Sequence, residues 1–401
     1  MVDQSKSNEE KPLSRKLLLP SLVLSSFATQ PPLIITGLLL IEIGLTFGYP
    51  VGVAGQIRTV SSVVSVIIAL LMGVLSFRFR HRTLLLIGLL FLSLSALGCS
   101  ISPNFPIMLL FSSLTGIGTA MITPMSSTII GEHFPLEKRS TAVGWNQAGT
   151  SIAFLIGSPL VSYIAGLGGW RTTFLAVYLP ISLIGLAVSF VGIPRTPQKT
   201  LHITSEVAYL DGLKKVFTNK SAITCLMGTM MAMASWSGNL TYIMSFFRQS
   251  FSMATGLASI LLSAMALSKT LGHLMSGNLI NRFGRKTFMV ASLLLLGVTT
   301  LAYMNIGFVW PSMVIACLCC VVAGFMMSSM TGLNLEQVPE HRSSMMSLSV
   351  ASRLIGGTLG AGLGGLVLLL FGYGGLGMAL GLLGFLSAIV YYMFAIDPTR
   401  V

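Results

Sequence analysis

The chain has 401 residues, of which 53% are hydrophobic and only 9% charged, with a mean hydropathy of +0.85. A soluble domain carries about a quarter charged residues, so this surface does not face water. The formal charge of +13 would suit a nucleic-acid binder, but its distribution, described below, makes it a topology signal, and no nucleic-acid partner is expected.

In lipid every backbone polar group must be paired within the chain, which leaves helices and closed barrels. The apolar runs are continuous, as in Leu84–Cys99 and Leu363–Ile396, without the alternation of a barrel strand. The sequence therefore predicts an all-α membrane protein. A crossing needs about 20 apolar residues. In chain order, residues 1–16 read as a cytoplasmic tail. Helices follow at 17–38, 51–76, 83–102, 105–131, 141–166 and 172–194. A polar linker at 195–219 leads to helices at 220–246, 254–279, 287–306, 309–333, 343–370 and 372–395, giving bundles at 17–194 and 220–401.

With both termini in the cytoplasm, 19 of the 24 Lys and Arg residues fall on the inner face, among them Arg15, Lys16, Arg78, Arg80, Arg82, Lys138, Arg139, Arg282, Arg285 and Lys286. Arg58, Arg171 and Arg248 remain for the outer face. This bias is the positive-inside rule, and it predicts a multi-pass protein of the cell (plasma or inner) membrane.

The chain also repeats itself. "GVLSFRFRHR" from Gly73 is echoed by "GNLINRFGRK" from Gly277, and "EHFPLEKRS" from Glu132 by "EQVPEHRS" from Glu336. Gly73 to Gly277, Glu132 to Glu336 and Pro135 to Pro339 are each offset by 204 positions. Parallel repeats of this kind predict two six-helix halves that rock about a site at mid-membrane.

In these motifs the chain resembles the major facilitator superfamily of secondary transporters, over essentially its whole length beyond the tail. "GNLINRFGRK" follows the family's cytoplasmic signature, with Asn281 where Asp is usual; in the first copy Phe77 holds the Asp position and Arg80 the second Gly. The resemblance implies a cytoplasmic gate involving Gly73, Arg78, Gly277, Asn281, Arg282 and Arg285. "GWRTTF" at Gly169–Phe174 looks like the family's entry to helix 6, and "GSP" at Gly157–Pro159 is similar to its exporters' Gly-Pro stretch. Ser112 and Thr115-Gly116 stand where drug exporters of the family carry an Arg and a Gln-Gly pair, so their proton-coupling device does not carry over.

No Asp or Glu falls in the middle of a predicted helix; Glu42 approaches one at an outer end. Two cations do. Lys269 lies eight residues before Gly277 and Arg353 eleven beyond Arg342, placing them about 12 and 16 Å from the inner helix ends. A charge at that depth costs about 2.5–3.5 kcal/mol even on the lenient insertion scale. We read both as lining a water-filled cavity that takes an anionic group, as in the superfamily's organic-anion carriers. His273, one turn after Lys269, is a candidate proton site and coupling group. Further polar lining is expected from Gln30 before Pro31-Pro32, from Asn146 and Gln147, and from Trp236 and Asn239 around Gly238, read as an irregular point.

Eighteen of the 23 Met residues lie beyond residue 220, an adaptable surface that suits an amphiphile. Cys99, Cys225, Cys317, Cys319 and Cys320 lie in apolar runs without ligand spacing and read as small fillers. The chain has no HExxH, nucleophile elbow or Walker loop, so neither an enzyme, a cofactor nor a metal is expected. The sequence points to a monomeric alternating-access transporter of a small organic anion, by antiport or symport with a possible coupling ion, in contact with membrane lipid. Efflux of drugs or amphiphiles is the alternative.

The orientation is testable by labelling a single cysteine at Ser205, in a cysteine-free background, from either side of sealed vesicles. Labelling from the inside is expected; labelling only from the outside contradicts it.

Overall fold

A computed structural model of the chain describes residues 12–194 and 213–397. Among the described residues the structure is helical, with no strand. The first half comprises α1 (Pro12–Ala28), α2 (Pro31–Leu38), α3 (Leu40–Phe47), α4 (Val51–Ala54), α5 (Gln56–Arg78), α6 (His81–Ile101), α7 (Phe105–His133), α8 (Leu136–Thr173) and α9 (Leu179–Gly192). The second comprises α10 (Lys220–Ser250), α11 (Thr255–Phe283), α12 (Arg285–Asn305), α13 (Val309–Glu336) and α14 (Arg342–Phe394). The linker expected at 195–219 lies mostly outside the described residues, as do residues 1–11 of the expected tail.

Among the described residues nine segments are long and apolar enough to cross a membrane. Two of them, Thr141–Gly192 and Ser344–Phe394, are each two crossings. The reversals sit at Gly169 (φ 77°) and Gly372 (φ 66°), in the left-handed region where a Cβ is penalised. The Ser-, Thr- and Asn-bearing α10 makes the twelfth crossing. Residues exposed at the periphery are apolar, such as Leu45, Ile101 and Leu370.

The two halves repeat in space as they do in sequence. His81 meets Glu132 at 2.7 Å, and Arg285 meets Glu336 at 3.5 Å; each partner is shifted by 204. Gly48 and Ser252 share positive φ at the same shift. The copies differ where the motif does: Gly284 has φ 85°, whereas Arg80 holds an ordinary φ of −62°.

The helical tract begins at Pro12, within the expected tail. The expected first crossing at 17–38 matches the apolar segment Leu17–Leu38, and α3 carries the helical tract on to Phe47. The helical ladder breaks at Thr29–Gln30, and Pro31 and Pro32 open α2, because the first turn of a helix has no use for their missing N–H. Gly238, by contrast, is not irregular. It sits inside α10, where a Cβ would lie 2.9 Å from the Gly360 carbonyl, so it is a point of close helix packing.

The chain order places the loops at 79–80, 134–135, 284 and 337–341 at one end, here the basic end, and the turns at 48–50, 102–104, 251–254 and 306–308 at the far end. The halves meet toward the far end. Arg248 of α10 pairs with Glu42 of α3, using both carboxylate oxygens, and Gly52 packs so closely on α14 that a Cβ would lie 2.6 Å from the Gly365 carbonyl. At mid-depth Thr270 donates to Ser151 (3.3 Å) and Ser263 to the Leu155 carbonyl (3.1 Å).

Close approach within the second half comes from Gly272 and Gly324. A Cβ on Gly272 would lie 2.1 Å from the Val321 carbonyl, and one on Gly324 2.5 Å from the Lys269 carbonyl. Gly277, expected to let helices approach at the gate, has nothing within 4 Å of an added Cβ, because the halves stand apart at that end. Gly272→Val and Gly324→Val should therefore each destabilise the protein by at least about 1–3 kcal/mol, the usual cost of overpacking, whereas Gly277→Val should leave the melting temperature unchanged. Thermal unfolding in detergent checks this; equal losses at all three positions contradict it.

Candidate functional site: a cationic cavity between the halves

Between the halves lies a cavity of about 1280 Å3. Its wall takes residues from both, and its basic groups come from α11 and α14 of the second half and α5 of the first. On α11, Lys269 stands at the middle of the helix with its Nζ 5.4 Å from the centre of the Trp236 ring of α10, a cation–π contact. One turn further, His273 Nδ1 lies 3.0 Å from Ser328 Oγ of α13. One turn along α13, Thr331 accepts a 2.7 Å hydrogen bond from Arg353 Nη2 of α14. Ser328 and Thr331 are three residues apart on one helix face, so α13 ties the histidine and the arginine into a single wall. Arg353 Nε is buried and finds no acceptor.

The lining contains Arg58, Lys269, His273 and Arg353, and no Asp or Glu among the described residues. None of these four takes part in the ion pairs formed among the described residues. Buried charge without a countercharge is costly, and the only partners here are hydroxyls, a carbonyl and a ring face.

The facing wall comes from the first half. Gln30 lines the cavity where α1 passes into α2, with its Nε2 bonded to Thr29 Oγ1 at 2.5 Å. Asn146 is buried and accepts from Ser26 at 2.7 Å; Gln147 beside it is exposed to the cavity. Several hydroxyls complete this wall, and their protons are committed to backbone carbonyls: Ser61 to Ser112 at 2.7 Å, Ser65 to Gly116 at 2.9 Å and Thr119 to Thr115 at 2.9 Å. With their protons so placed, what these hydroxyls have left to offer is acceptor capacity.

Of the eight residues expected at a binding site, seven line this cavity: Gln30, Asn146, Gln147, Trp236, Lys269, His273 and Arg353. Asn239 does not. It is buried inside the second half, where it donates to Thr300 (2.7 Å) and accepts from Tyr303, both on α12. No sequence spacing pairs an amide with residues 61 and 64 positions away. Arg58, assigned to the outer face as a topology marker, instead lines the cavity with only 8% exposure. The signal was its depth, seven residues into a helix read as starting at 51, or about 10 Å.

The residues expected at the gate lie apart from the cavity, at the basic end. Arg78, Asn281 and Arg282 are exposed there, Arg282 over the Phe283 ring, and Gly73 lies within α5. Arg285 reaches the Gly332 carbonyl (3.1 Å) besides Glu336, clamping the loop between α11 and α12 to the end of α13. Of the methionine clusters, Met233 and Met327 reach the cavity, while Met326 and Met330 are fully buried packing.

Among the described residues the structure thus has twelve crossings in two repeated halves around a central polar cavity. The family model described as Major Facilitator Superfamily matches residues 18–253 and 224–401, and the chain belongs to that superfamily. It is 26% identical over 263 residues to a probable sugar efflux transporter of Pasteurella multocida, covering 66% of this chain and 63% of that one. It is 30% identical over 128 residues to an uncharacterised MFS-type transporter of Mycobacterium tuberculosis, covering 32% of this chain and 22% of that one. The matches thus span less than two thirds of these curated relatives. In fold it is similar to a bacterial homologue of the human lysosomal transporter Spinster, solved in an inward-facing, unoccupied conformation, with a TM-score of 0.76, 17% identity and coverage of 96% and 97% of the two chains.

The placement of Asn239 yields a prediction. Asn239→Ala leaves Tyr303 and Thr300 without their partner and should cost about 1–3 kcal/mol of stability, while any ligand-induced melting shift keeps its size. Loss of that shift with an unchanged melting temperature would return Asn239 to the binding site.

Proposed function

We propose that this transporter carries a small organic anion, received by Lys269 and Arg353 between the two halves in an alternating-access cycle whose basic end faces the cytoplasm. The observation that carries this reading is the sign of the cavity. Every charged side chain lining it is basic, and no described acid offsets them. A proton-for-cation exchanger needs a carboxylate to hold its cargo; this cavity offers ammonium and guanidinium donors, which bind acid groups through hydrogen bonds about twice as strong as neutral ones. An anion also relieves the repulsion among the cations, so binding favours the folded protein.

The hydroxyl wall refines the cargo. Because Ser61, Ser65 and Thr119 spend their protons on backbone carbonyls, that side of the cavity best meets a guest's own donors. The fitting guest has an acid group at one end and hydroxyl or amine donors at the other. His273, facing the cavity beside Lys269, is the group placed to exchange a proton with such a cargo.

The test is a melting shift against benzoate, citrate, inorganic phosphate, a neutral sugar and a lipophilic cation. An anion at 100 times its Kd stabilises by about 2.7 kcal/mol, a shift of a few degrees for a chain of this size. Lys269→Gln and Arg353→Gln should each abolish the anion shift while leaving the unliganded protein as stable or more so. Arg353→Lys should restore it only in part, because the bidentate fork is lost. Wild-type shifts in both Gln variants, or a wild type that responds only to the sugar or the lipophilic cation, contradict the anion reading.

A further inference from the structure

At the far end of the cavity stands a cation that the reading above leaves unused. Arg58 Nη2 donates to the Leu33 carbonyl at 2.5 Å and Nε to Thr36 Oγ1 at 3.2 Å, both on α2. Its Nη1 crosses to the second half and donates to Thr241 Oγ1 of α10 at 3.3 Å. The guanidinium lies against bare backbone: a Cβ on Gly37 would sit 3.3 Å from Nη2. All three acceptors are neutral. Glu42, the one acid the sequence supplies at this end, is engaged through both oxygens by Arg248. The far end therefore holds three arginines and one carboxylate: Arg248 takes Glu42, Arg171 donates to the Ser102 carbonyl and lies over the Trp170 ring, and Arg58 is the one that lines the cavity.

The bonds of Arg58 divide between the moving parts. Leu33 and Thr36 belong to its own half, Thr241 to the other. Rocking the halves apart at the far end keeps the first two and breaks the third, which is the longest and joins a charged donor to a neutral hydroxyl. We propose that Arg58 is the anion's contact when the far end is open, and that Thr241 reclaims the freed Nη1 when the far end closes behind the cargo. A carboxylate or phosphate oxygen outcompetes a hydroxyl for a guanidinium N–H. Cargo at Arg58 thus holds the far end open, and its passage to Lys269 and Arg353 lets the arginine–threonine contact form. Arg58 would set affinity from one side of the membrane only, whereas Lys269 and Arg353 serve both. This rests on the anion reading and is tested separately from it.

The experiment measures KM in right-side-out and inside-out vesicles, using whichever of benzoate, citrate or phosphate the wild type carries fastest. Arg58→Gln should raise KM from the far-end side about 10-fold, the factor for one charge-assisted hydrogen bond, and from the basic-end side less than about 2-fold. Arg58→Lys should fall between. Thr241→Val removes the closing acceptor and keeps the cation, so KM from the far-end side should fall while that from the other side holds. A symmetric KM change in Arg58→Gln, or none, overturns the proposal. If Arg58→Gln fails to insert, Thr241→Val decides alone, and unchanged KM on both sides overturns it. A wild type that carries none of the three anions defeats the anion reading itself and this proposal with it. Anion transport that depends on Lys269 and Arg353, with a symmetric Arg58→Gln, defeats this proposal only.

Discussion

The constraint on which the rest of the molecule depends is the cost of holding positive charge inside a low-dielectric bundle without a countercharge. Lys269 and Arg353 lie deep in their helices, and each buried cation costs at least about 2.5–3.5 kcal/mol. A chain that needed these side chains only for packing could place a methionine there, as it does at Met326 and Met330. What the structure provides is partial solvation: a ring face under Lys269, one hydroxyl for Arg353, and a wide cavity that leaves each only partly buried. The charges are tolerated because the bundle is split, and the split is what a rocking carrier requires.

The split is asymmetric in this conformation. Toward the far end the halves are latched by the Glu42–Arg248 pair and by backbone approach at Gly52 and Gly365. At the basic end the described contacts stay within one half, as in His81–Glu132, Lys215–Glu340 and Arg285–Glu336. These clamp neighbouring loops to one another, and the 204-residue repeat gives both halves the same internal clamp, His81–Glu132 in one and Arg285–Glu336 in the other.

Much of the fold was legible in the sequence, because lipid leaves helices as the natural answer to continuous apolar runs and because the loops carry a visible repeat. The cavity wall was legible where the cost of burial speaks through a single residue, as at Lys269 and Arg353. Reading failed where the deciding fact is a partner in another helix. Asn239 looked like lining until Thr300 and Tyr303 took both ends of its amide. Arg58 looked like a boundary charge because it lies near the outer start of the helix read from residue 51. Gly277 carries the family's signature spacing, but close approach is made by Gly272 and Gly324, whose neighbours no motif names.

The anion proposed as cargo belongs within the cationic wall. The most direct measurement is an experimental structure determined with the anion that stabilises the purified protein most. Density is predicted between α11, α13 and α14, with an acid group within hydrogen-bond distance of Lys269 Nζ or the Arg353 guanidinium and the remainder of the guest against the Ser61–Thr119 hydroxyl wall. Density confined to the apolar surface around Met233 and Met327, with neither cation engaged, would contradict it.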